Sequence, residues 1–151
     1  MEKLEPSVRA ASWSAAQCVR HFCRVREISH PDIDAFCQHL EDAVTAESVV
    51  SWDSHAENLR ITGLGDALPI PLDAVPGLSE LLTAAREVTA SQMYAAWTPL
   101  NVAKYLSEAA ERSGLSPEAV LTKAATLHHP DQHGWGPAVS WAERERWSRE
   151  A

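Results

Sequence analysis

The chain has 151 residues, 45% apolar and 23% charged, with a formal net charge of −8. Length and composition fit one globular domain that can bury its own core, and they exclude a disordered chain. The negative charge argues against nonspecific binding to phosphate backbones or anionic membranes, and favours a basic protein partner.

No run of eighteen apolar residues occurs, so no transmembrane helix is expected. The opening stretch, Met1 to Pro6, is polar and lacks an export-signal core. Three cysteines, an odd number, predict free thiols and a cytoplasmic location.

Residues 1–11 are expected to form a flexible arm, with 12–151 as a single domain. Ser14, with Gln17 three residues later, reads as a capping box opening a helix, and Trp13 is placed to staple onto Cys18. Ala15, Cys18, Val19, Phe22 and Val25 give that helix its apolar face. The run Ser29-His30-Pro31-Asp32 ends it and starts a second, with Pro31 suited to the first helical position. Ile33, Phe36, Cys37, Leu40 and Val44 form its stripe.

The pattern then changes. Ser48 to Trp52 is β-prone, and Asn58 to Thr62 alternates with period two, which predicts a small β-hairpin over 48–62. Gly63, Gly65, Pro69, Pro71 and Pro76 mark an irregular connection. From Pro76 the chain reads as helical, with Leu78, Leu81, Leu82, Ala85 and Val88 on one stripe and a break at Thr89-Ala90-Ser91 before Met93, Ala96 and Trp97. Thr98-Pro99 opens the next helix, faced by Val102, Tyr105, Leu106, Ala109 and Ala110 and ended by Gly114. Ser116-Pro117-Glu118 caps another, with Val120, Leu121, Ala124 and Leu127 inward. Gly136-Pro137 begins a terminal helix reaching about Arg149. The expected class is α+β, predominantly helical, with about six or seven helices and the one hairpin.

The densest group of ligand-capable side chains is His128, His129, Asp131 and His133. Imidazole and carboxylate suit zinc-like ions, so this group is the candidate metal site and the basis of a metal-dependent enzyme as an alternative function. Pro130 stands where a zinc protease would carry its glutamate base, which removes that mechanism. A helix-terminating loop pinned by Trp135 is the simpler account. Cys18, His21, Cys23, Cys37 and His39 form a second, sparser set without the usual ligand spacing. Gly63-Leu64-Gly65 lacks the third glycine of a dinucleotide loop, and no serine elbow or Walker loop exists. No catalytic residue and no cofactor is assigned.

Ala110, Gly114, Leu115 and Val120 meet the small, turn, apolar and branched positions of a DNA-binding helix-turn-helix, which the stretch 100–127 resembles. Lys123 stands at a place usually apolar, and one lysine in the reading helix leaves few phosphate contacts. DNA regulation is therefore an alternative, below a structural hairpin.

Six tryptophans occur, and two of them, Trp141 and Trp147, lie six apart in the terminal helix, so one is expected to reach solvent. The run Ser91 to Trp97, the helix around Leu106, and His133-Gly134-Trp135-Gly136 leading to Trp141 and Trp147 resemble small bacterial immunity proteins that protect against polymorphic toxins. The resemblance implies a non-enzymatic cytoplasmic protein that occludes a toxin's active site. The acidic positions Glu41, Asp42, Glu47 and Asp53 are the candidate contacts to a basic toxin domain.

Overall fold

A computed structural model describes residues 7–47, 52, 75–94, 99–127 and 138–150, with side chains described for all of these except 89–94, 99–101 and 150. Six helices are found there: α1 (Val8–Val25), α2 (Pro31–Asp42), α3 (Leu78–Tyr94), α4 (Pro99–Ser113), α5 (Pro117–Leu127) and α6 (Trp141–Glu150). No strand occurs among the described residues, so the α+β expectation with its hairpin is corrected to a predominantly α-helical fold. Trp52, read as the end of a strand, is helical. Its indole Nε1 donates to the His39 carbonyl at 2.7 Å, and its ring stacks on the His39 imidazole at 4.3 Å. Burial against α2 decides its conformation, because strand propensity is only a preference for a half-buried pleated surface. The remainder of the expected hairpin lies outside the described residues.

Helix α1 is the hub, packed against α2, α3, α4 and α5. Its first two-thirds is buried on nearly every side, and Ala10, Ala11, Ser12, Ser14, Ala15 and Ala16 keep that stretch slender enough for close approach. It begins well upstream of the expected Ser14. Ser7 is the N-cap, its Oγ accepting from the Ala10 amide at 3.2 Å. Ser7 to Ala11, expected in the arm, are therefore buried structure. Trp13 does not act as a staple outside the helix. It sits within α1 and meets Trp147 edge to face, with ring centroids 5.9 Å apart.

The other boundaries follow local chemistry. His30 caps α2, its Nδ1 accepting from the Asp32 amide at 3.1 Å, and Pro31 opens the helix as expected. The α2 stripe of Ile33, Phe36, Cys37, Leu40 and Val44 is buried, as are Leu78, Leu81, Leu82, Ala85 and Val88 of α3. Helix α3 runs through the expected break at Thr89 to Ser91. Gly114 ends α4 with φ +88, and the Leu115 amide reaches back to the Ala110 carbonyl at 2.9 Å. Ser116 caps α5, its Oγ accepting from the Ala119 amide at 3.3 Å. Helix α6 starts at Trp141 rather than at Pro137, because Ser140 caps it by accepting from the Glu143 amide at 3.2 Å.

Helices α1 to α5 share one apolar core. A second cluster, Ala10, Trp13, Val44, Leu127, Val139 and Trp147, seats α6 on α1. No described helix is long and apolar enough to cross a membrane.

Candidate protein-binding surface

Two buried arginines shape the end of α2. Arg9 Nη1 donates to the Ala43 carbonyl at 2.6 Å and the Ala46 carbonyl at 2.8 Å, satisfying acceptors that the helix end leaves open. Its burial lowers its pKa. Arg144, on α6, donates through Nη1 to Asp42 Oδ1 at 3.0 Å and Thr45 Oγ1 at 3.1 Å. The Val139 amide donates to the Val44 carbonyl at 2.9 Å. The exit of α2 and the entry of α6 are thus tied side to side.

The same Arg144 guanidinium lies 4.6 Å from the Trp141 ring and 5.9 Å from the Trp13 ring. Cation–π attraction holds the Trp141 ring over an arginine that is itself fixed by Asp42. Trp141 is nonetheless 65% exposed, while Trp147 is fully buried. Val25 is the other large apolar side chain exposed among the described residues, and it stands apart at the end of α1.

The four acidic candidates meet different fates. Glu41 is buried: Arg20 grips it with Nη2 at 2.7 Å and Nε at 3.1 Å, and Gln17 donates at 2.6 Å. Arg20 also reaches Asp34 at 2.8 Å. Hydrogen bonding to Glu41 raises the Arg20 pKa above its ordinary value, outweighing the effect of burial. Asp42 is partly exposed and takes Gln38 as well as Arg144. Glu47 is exposed, just past the α2 exit. Asp53 lies outside the described residues. Asp42 is therefore brought beside Trp141, whereas Glu41 is turned inward.

The histidine group His128, His129, Asp131 and His133 also lies outside the described residues. Among the described residues no cluster of three histidine, cysteine or carboxylate groups is placed to hold a metal. Cys18, Cys23 and Cys37 are buried free thiols. Burial pushes Cys18 up to about 11 and Cys37 up to about 12, and raises Cys23 as well. Such thiols stay protonated and unreactive near neutrality.

The stretch resembling a helix-turn-helix is formed by α4 and α5 as a tight αα-hairpin. The exposed part of α5 carries Glu118, Ala119, Thr122, Lys123 and Thr126, a single cation beside a carboxylate. A phosphate backbone is normally met by several cations. No family model, no curated protein and no solved structure matches the chain.

Asp42 is visible in the sequence as a candidate contact, and one of Trp141 and Trp147 is expected to reach solvent, but the sequence does not connect Asp42 with Trp141. The position of Trp141 directly after Ser140, inside the Ser-x-x-Glu pattern that ends at Glu143, places it in the first turn of a helix.

Proposed function

We propose that this chain is a non-enzymatic protein-binding protein whose contact surface centres on Trp141, with Asp42 and Glu47 as acidic contacts. The observation that carries the reading is a large apolar ring, 65% exposed, held by a buried arginine that Asp42 anchors. Exposed aromatic anchors dominate binding energy when a partner buries them, and a ring already held in place loses little entropy on docking. Asp42 beside it, and the chain's net charge of −8, favour a basic partner and speed its approach.

The finer reading is that the partner is a basic toxin domain, met in the cytoplasm and neutralised by occlusion of its active site. It rests on the immunity-protein resemblance together with this surface. The test is co-expression with the toxin domain encoded by the adjacent reading frame. Growth rescue by the wild-type chain, lost in Trp141→Ala, supports the reading. The absence of such a neighbour, or failure of the chain to rescue or bind it, overturns the toxin part. Tight binding unaffected by Trp141→Ala would overturn the surface.

A further inference from the structure

A second surface lies toward the C-terminal end of α6. A groove of about 520 Å³ runs between α1, α5 and α6. Its apolar floor is made by Trp13, Leu115, Val120 and Leu127. Its α1 wall extends from Trp13 to Arg24. At 1.5 Å rise per residue that wall is about 16 Å long, roughly three turns of helix. The shape is a trough rather than a pit.

The charge of its described lining is opposite to that of the molecule. Among the described residues the ionisable side chains lining it are His21, Arg24 and Lys123, with Cys18 buried beneath, and none of the described lining residues is a carboxylate. The chain as a whole carries −8. Arg24 and Lys123 are exposed, and neither Arg24 nor His21 has an ion-pair partner among the described residues. Leu115 and Val120 are only partly buried, so apolar surface remains open beside these cations.

We infer that this groove receives an acidic amphipathic helix of a partner protein, its apolar face on Leu115 and Val120 and its carboxylates on Arg24 and Lys123. Helix-in-groove recognition pairs an apolar stripe with a charged rim in this way. The inference stands apart from the Trp141 surface, which lies at the opposite end of α6 and suits a partner of the other charge.

The experiment uses two synthetic 18-residue amphipathic helices with the same leucine face, one with a glutamate polar face and one with a lysine polar face. Each carries the same fluorophore, and binding to the full chain is read by anisotropy. Net charge alone would favour the lysine helix. The groove predicts the reverse, with the glutamate helix binding at least ten-fold tighter. The double variant Arg24→Glu/Lys123→Glu should weaken the glutamate helix at least ten-fold. Ala119→Trp, which fills the groove at an exposed position, should weaken it too. Trp141→Ala should bind like the wild type, so failure here is distinct from failure of the proposed function. Thermal melts show whether each variant is folded. Equal or tighter binding of the lysine helix, insensitivity to charge reversal in folded protein, or capture of laurate but of neither peptide overturns the inference.

Discussion

Arg20 and Glu41 close the α1–α2 pair, the guanidinium placing two nitrogens on the carboxylate at 2.7 and 3.1 Å. Gln17 takes up remaining acceptor capacity on the same carboxylate. The carboxylate is buried while the arginine keeps contact with solvent. Removing one partner of such a pair leaves a desolvated charge. Arg20→Ala should therefore destabilise by about 2–3 kcal/mol, below the range for fully buried pairs because Arg20 is partly exposed. Denaturant unfolding measures it, and a loss under about 0.5 kcal/mol would show the pair to be no more than a surface contact. The raised Arg20 pKa keeps this stabilisation in place near neutrality and lets it be lost only as pH rises above the ordinary arginine range.

The thiols set an alkaline limit. Cys18 and Cys37 ionise near 9 when unfolded but only at about 11 and about 12 when folded. Between those values the unfolded chain loses protons that the folded chain keeps, so stability is full below pH 9 and falls as pH rises from there. Unfolding free energies measured from pH 8 to 10.5 should decline, and Cys18→Ala with Cys37→Ala should flatten the slope. An unchanged slope would point to other groups. Native thiols should also resist a thiol reagent at pH 7 and react once the protein is denatured.

Two helix ends adopt the left-handed conformation with different residues. Glu27 follows α1 with φ 55, and Gly114 follows α4 with φ 88. The Ile28 amide reaches the Cys23 carbonyl at 2.8 Å, as Leu115 reaches Ala110. A side chain in this conformation costs about 1 kcal/mol or more. Glu27→Gly should therefore stabilise by about 0.5–1 kcal/mol, offset in part by glycine's freedom when unfolded. Gly114→Ala should destabilise by about 1 kcal/mol. An added Cβ at Gly114 meets nothing within 4 Å, so that loss is conformational rather than steric. Thermal melts of the two variants should move in opposite directions.

The two tryptophans of α6 should separate stability from binding. Trp147→Ala removes a fully buried ring packed on Trp13 and should cost about 3–5 kcal/mol. Trp141→Ala should change stability by less than about 1 kcal/mol, while costing a basic partner about 2 kcal/mol or more of binding. Calorimetric melting and titration against the partner measure the two effects. A large stability loss for Trp141→Ala would make it a core residue instead.

What the sequence by itself determined were features decided within a few residues of one another. The α2 start at Pro31, the buried stripes of α2 and α3, the Ser116 cap and the left-handed Gly114 all follow from neighbours one to five positions apart, where helical geometry brings groups together. The hub role of α1 was less legible, because its alanines and serines make a weak apolar pattern and reveal their purpose only when other helices crowd against them. Trp52 was misread because a β-prone residue takes its conformation from what it is buried against. Which of the candidate residues share one surface needed the tertiary structure. Arg20 lies 21 positions from Glu41, and Arg144 lies 102 from Asp42. Charge alone made Glu41 and Asp42 equivalent neighbours. Packing turned one inward onto Arg20 and left the other to hold Arg144 beneath Trp141, because a carboxylate at the helix interface must be paired, while one at its edge keeps its water.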